Sequence, residues 1–145
     1  MTNTTKHRRG TMAVQMKGRT TGPTTIELEH ESGYKIAVNA PKDNGGDGSS
    51  FSPTDLCAVS LGACGSLIMR MYADGKGIAL RGISFELKKE MVANPRRIER
   101  ITVVFRIDSD CTDLELKKIE AAGRACPVRI TLGSCVEVVE SYERA

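Results

Sequence analysis

The sequence predicts an α+β fold, with mostly antiparallel sheets built around one long central helix. Three observations carry this expectation. Two stretches, 83–88 and 101–107, alternate apolar and polar residues at a period of two. Between Asp55 and Arg70 runs a helix-like segment with no ionisable side chain other than cysteine. Strand-like segments are grouped before and after that helix, and they do not alternate with helices as a doubly wound sheet requires.

Along the chain, Met1 to Gly10 reads as a disordered leader and residues 11–145 as a single domain. Thr11 to Thr20 forms a first strand, ended by the turn-prone Thr21-Gly22-Pro23. Thr24 to His30 and Tyr34 to Asn39 flank Glu31-Ser32-Gly33, a hairpin connection. Pro41 to Ser50 is a loop. Its Gly45-Gly46-Asp47-Gly48 lacks both the lysine of a phosphate loop and the spacing of a dinucleotide fingerprint.

Ser52-Pro53-Thr54-Asp55 is a strong helix start, with Ser52 as cap, Pro53 at the first position and Asp55 as capping-box acid. The helix is expected to run to about Ala73 and stop at Asp74-Gly75. Leu56, Val59, Ala63, Leu67 and Arg70 follow one side of it, and Cys57, Leu61, Cys64 and Ile68 a neighbouring one. A helix this apolar belongs in the centre of the fold or at a subunit interface. Gly62 and Gly65 each cost about 1 kcal/mol of helix propensity relative to Ala, and they fit a close approach by another backbone.

Ile83, Phe85 and Leu87 then form one strand face, and Ile101, Val103, Phe105 and Ile107 another, with Pro95 in the connection. Asp113 to Ala125 is amphipathic, Pro127 interrupts it, and Val128 to Leu132 makes one short further helix ended by Gly133. Ser134 to Glu140 closes as a strand.

At 145 residues the chain can bury a sizeable core. Apolar residues make up 40%, and with three Phe, three Tyr and no Trp the core must be largely aliphatic. So few aromatics argue against a stacking platform for single strands. The charge of +3 comes from 21 basic and 18 acidic residues scattered along the chain, so no nucleic-acid partner is expected. The first eleven residues are polar and no apolar run approaches the ~20 residues that span a bilayer. A cytoplasmic protein without a membrane partner is the expectation.

The cysteines are Cys57, Cys64, Cys111, Cys126 and Cys135, an odd count unlike a secreted disulfide framework. There is no C-x-x-C, and His7 and His30 are the only histidines, so neither a metal nor a cofactor is expected. Cys64 lies mid-helix among apolar neighbours, where a buried inert thiol is the favoured local reading. Cys57, seven residues and about 10 Å of rise away, cannot bridge to it in a straight helix and reads as core packing. Cys126 precedes Pro127 and so caps a short helix, beside unpaired N–H groups and near Arg124 and Arg129, a setting that favours a thiolate. The alternative, a cysteine that merely fills the junction, stands level with it. Cys111 reads as a loop residue and Cys135 as packed. Asp55 is first a capping carboxylate, and Arg19 a solvated residue near the end of the first strand.

Phe51-Ser52-Pro53-Thr54-Asp55-Leu56, Leu61-Gly62-Ala63-Cys64 and Ala125-Cys126-Pro127-Val128 together resemble the OsmC-like family, which includes osmotically inducible protein C and the organic hydroperoxide resistance proteins. The resemblance covers roughly Thr11 to Val139 and implies an intertwined homodimer with long helices at its centre. It implies that Cys64 attacks an organic hydroperoxide, that Cys126 resolves the product as a disulfide, and that an external dithiol restores both. It implies a thiolate-steadying arginine, for which Arg19 is the match. The hydroperoxide resistance branch has a glutamate directly after the helix-start proline. Here that residue is Thr54, with Asp55 next to it and about 100° further round the helix. The departure makes the chain a divergent member, with a catalytically weak or inactive small-molecule binding or redox-sensing protein as the alternative to a peroxidase.

Overall fold

The computed structural model describes residues 12–145, so the expected leader lies outside the described residues. Within the expected domain, contacts divide the chain into two compact units that meet between Ser52 and Pro53.

The first unit is a three-stranded antiparallel sheet of β1 (Met16–Thr20), β2 (Thr25–His30) and β3 (Lys35–Asn39), in that order. The first strand is shorter than the expected Thr11 to Thr20. Strand alternation divides the sheet into two chemically distinct faces. One carries Met16, Gly18, Ile26, Leu28, Ile36 and Val38, while the other pairs Lys17, Arg19 and Lys35 with Glu27 and Glu29. The loop after β3 holds a short 3-10 turn at Lys42–Asn44.

The second unit opens with α1 (Pro53–Gly75) and continues through β4 (Gly82–Val92), β5 (Arg97–Asp108), α2 (Asp113–Arg124), α3 (Pro127–Leu132) and β6 (Glu137–Arg144). β4 and β5 form the expected long hairpin, which turns through a cis Asn94-Pro95 bond. β6 runs parallel to β5, in the sheet order β4-β5-β6. Residue alternation reports which face is buried but not strand direction. The parallel pairing follows from the crossover through α2 and α3, which returns the chain to the end where β5 began.

One face of this sheet builds the core. Ile101, Val103, Phe105 and Ile107 are fully buried, flanked in register by Ile83, Phe85, Leu87 and Lys89 of β4 and by Val138, Glu140 and Tyr142 of β6. The opposite face is ionic, with Arg106 joining Glu86 at 3.1 Å and Glu143 at 3.4 Å. The capping box of α2 is formed by Thr112 and Glu115.

α1 lies against the core face through Ala58, Leu61, Gly62, Gly65, Met69 and Ala73. The expected close approach at Gly62 and Gly65 is made by rings, not by another backbone. A Cβ on Gly62 would stand 2.3 Å from Phe85, and one on Gly65 would stand 2.8 Å from Phe105. The helix ends at Gly75, within the expected Asp74-Gly75 stop. Gly77, at φ +66°, takes the left-handed position, with Gly77 N–H donating to Asp74 and Ile78 N–H to Ala73. By length and composition α1 would reach across a bilayer, with a mean hydropathy of 1.4 over its apolar window, which corrects the expectation that no stretch is of that order. A core helix has the same composition, and the buried row above accounts for it. Its other side, including Ala63, Leu67 and Met71, is exposed in the single chain.

Candidate functional site

The second unit brings two predicted site residues together. Cys126 is the N-cap of α3, in extended conformation with Pro127 at the first helical position, as its sequence context predicts. Its Sγ accepts a hydrogen bond from Arg129 N–H at 3.2 Å. The thiol is nevertheless fully buried. Burial pushes the Cys126 thiol up from its ordinary value; the Arg129 N–H acts against this, and the neighbouring Cys64 and Glu140 side chains push it further up. Of the two readings that the sequence leaves level at Cys126, burial favours a protonated thiol at the helix junction. The cap geometry is present, but desolvation by the core outweighs a single N–H.

Cys64 reaches Cys126 from α1. It is partly exposed and packs against the core. Its thiol neighbours that of Cys126 and helps to push the Cys126 thiol up from its ordinary value. One thiol is thus partly exposed, and its partner is buried. All five cysteines are free thiols. Cys57 and Cys135 are exposed, contrary to the packed positions expected for them, and Cys111 is partly buried against the core. Cys57 faces outward because the buried row of α1 runs through Ala58, Leu61 and Gly65.

Two charges on the core face of the sheet were not singled out from sequence. Glu140 lies on the core face of β6, its side chain 6% exposed, and its Oε2 accepts from Arg129 Nε at 3.1 Å. Lys89 lies on the core face of β4, its side chain 16% exposed. The available signal was the same for both. Lys89 continues the row Ile83, Phe85, Leu87, and Glu140 stands between Val138 and Tyr142, so each places a charge in an apolar register. Tyr142 stacks on Phe105 at 5.1 Å between centroids and lies under Arg124, 4.4 Å from ring to guanidinium carbon. Burial, first of all, pushes the Tyr142 hydroxyl well above its ordinary value.

Asp55 is held by Lys89, whose Nζ donates to Asp55 Oδ1 at 2.6 Å and to Thr54 Oγ1 at 2.8 Å. Asp55 precedes Cys64 by nine positions, about 13 Å of helical rise, so this ion pair is separate from the thiol pair. Arg19 belongs to the first unit. It pairs across the strands with Glu27 at 3.1 Å, and its hydrogen bond is the main reason the Glu27 carboxyl is held below its ordinary value. Among the described residues no group of three or more His, Cys, Asp or Glu side chains is placed to hold a metal ion.

Comparison with known proteins adds to this geometry. The sequence profile described as OsmC-like protein matches residues 46–141. The chain belongs to the OsmC-like family. Among solved structures, this OsmC-like chain is similar to an osmotic stress induced and detoxification response protein from Psychrobacter arcticus, at 28% identity and a TM-score of 0.81, over 94% of this chain and 99% of that one. It shares its fold with an organic hydroperoxide resistance protein OsmC from Legionella pneumophila, at 20% identity and a TM-score of 0.69, over 93% of this chain and 99% of the other. It also shares its fold with an organic hydroperoxide resistance protein from Elizabethkingia anophelis, at 18% identity and a TM-score of 0.74, over 95% and 100%. No curated protein matches the OsmC-like chain.

Proposed function

We propose that the chain reduces organic hydroperoxides by a two-cysteine mechanism and is restored by an external dithiol. The packing of the partly exposed Cys64 on the core cluster that contains the buried Cys126 supports this reading, because a disulfide forms only between thiols that can meet. The exposed member is suited to first attack and the buried member to resolution. The Cys64 thiolate takes the distal oxygen of the hydroperoxide, the O–O bond breaks, and the alcohol leaves with a proton. Cys126 then displaces water from the Cys64 sulfenic acid to form the disulfide. A dithiol reduces that bond by exchange. The hydroperoxide resistance proteins that share the fold lend the substrate class.

The test is a stoichiometric dose of cumene hydroperoxide followed by peptide mapping. A Cys64–Cys126 linked peptide is expected, and a Cys64→Ser variant should lose dithiol-driven peroxide consumption. Two thiols that stay free would remove the mechanism. The pairing of Asp55 with Lys89, beside a threonine where hydroperoxide resistance proteins carry a glutamate, favours a second reading as a redox-sensing or small-molecule binding protein. That reading expects the linked peptide without sustained turnover. We further infer that a second copy of the chain covers the exposed apolar side of α1.

A further inference from the structure

Glu140 stands where the alternation of β6 calls for an apolar side chain. Its strand neighbours on the core face, Val138 and Tyr142, pack on the buried cluster, and its register partner on β5 is the fully buried Val103. The Glu140 side chain is 6% exposed. Oε2 takes the Arg129 Nε–H at 3.1 Å, while Oε1 is buried with no hydrogen-bond partner. A carboxylate withdrawn from water for structure alone gains from having both oxygens satisfied. This one keeps an acceptor in reserve.

Arg129 joins that carboxylate to the thiol pair. Its backbone N–H binds Cys126 Sγ at 3.2 Å while its guanidinium binds Glu140. The ionisable groups around the two are few. Cys64 comes from α1 and Tyr142 from β6, and α2 supplies Arg124 and Glu120, themselves 3.8 Å apart. Arg124 is engaged over the Tyr142 ring, and the strand facing Glu140 offers only Val103. The negative charge of Glu140 acts on the Cys126 thiol.

We propose that Glu140 is the proton acceptor for Cys126 when the Cys64–Cys126 disulfide closes, and that Arg129 is the positioning residue that holds both. This rests on the two-cysteine reading above. An organic hydroperoxide first oxidises Cys64 to the sulfenic acid and leaves as the alcohol. The Cys126 proton then passes to Glu140, the Cys126 sulfur bonds to the Cys64 sulfur, and the S–O bond breaks. The departing hydroxide takes the proton back from Glu140 and leaves as water, so the carboxylate is regenerated. The two thiols supply the two electrons.

The experiment follows one turnover of reduced wild type and Glu140→Gln after mixing with equimolar cumene hydroperoxide. Peroxide loss reports the first step, and acid-quenched peptide mass reports closure. The ratio of closure rate to first-step rate should fall by roughly 100-fold in E140Q, the scale of general base catalysis. Closure in E140Q should also rise about tenfold per pH unit from about pH 6 to about pH 8, as hydroxide replaces the lost base, whereas wild type changes far less. Glu140→Asp should restore the wild-type pH profile. Equal slowing of both steps, or an unchanged closure profile, overturns the proposal while the two-cysteine reading stands. If E140Q does not fold, wild-type closure in heavy water decides, and a rate equal to that in light water overturns the proposal. Wild type that forms no disulfide overturns both.

Discussion

At Cys126 a helix N-terminus and an apolar core act in opposite directions on the same sulfur, and the core prevails. The consequence reaches stability. Unfolded, this thiol ionises near its usual ~8.5, whereas folded it holds its proton to higher pH. Below that point both states carry the proton and stability is intact. Above it the unfolded chain releases the proton first, and stability is lost as pH rises. Tyr142, also pushed up, adds to the loss in a higher window, above about 10. Urea midpoints should therefore drop from about pH 7.5 to about pH 9.5, with a smaller drop in Cys126→Ala. Equal drops would show that the buried thiol is not responsible. The cap itself was legible in Ala125-Cys126-Pro127, because proline at a first helical position is a local rule. The burial was not, since it depends on what α1 and β6 lay over that junction. Glu140 and Lys89 were legible in principle, as single charges in apolar rows, but their partners Arg129 and Asp55 come from other elements.

Among the elements, α1 is positioned by what it lacks. Gly62 leaves room for the Phe85 ring and Gly65 for that of Phe105, so the helix seats directly on the β4–β5 hairpin. Gly62→Ala would gain ~1 kcal/mol of helix propensity, yet its methyl would meet a ring in a packed core. Overpacking costs about 1–3 kcal/mol, so net destabilisation is expected in urea unfolding. Gly75→Ala is the matched control, with nothing within 4 Å of the new Cβ, and should be neutral or stabilising by up to ~1 kcal/mol. A stabilised G62A would mean that the ring moves aside freely. Strand periodicity and cap chemistry made the hairpin, α1 and the broken helix readable in advance. The end of α1 at Gly75 was legible too, whereas the left-handed turn at Gly77 that follows it was not, because Gly75 and Gly77 look alike in sequence. The direction of β6 was unreadable, because alternation is the same in parallel and antiparallel strands.

On the scale of the whole molecule, the outward side of α1 leaves apolar side chains of the second unit uncovered. Leu67 is 63% exposed and Met71 67%, one turn apart on a helix without a charged stripe. Sedimentation equilibrium of the native protein is expected to give twice the chain mass. Leu67→Asp with Met71→Asp should give a single chain, while monomeric wild type would dismiss the covering copy. The apolar helix was legible in sequence as central or interfacial, and it is both packed and bare, one side each. The meeting of Cys64 with Cys126 has a meaning for the chain as a polymer. A bond between them would close a ring that threads both strands of the hairpin and all of α2, taking from the unfolded chain the freedom of roughly 60 residues, about 4 kcal/mol in the loop-entropy account. Each oxidation would then tighten the fold and each reduction loosen it, so the thiol pair would set chain entropy as well as chemistry.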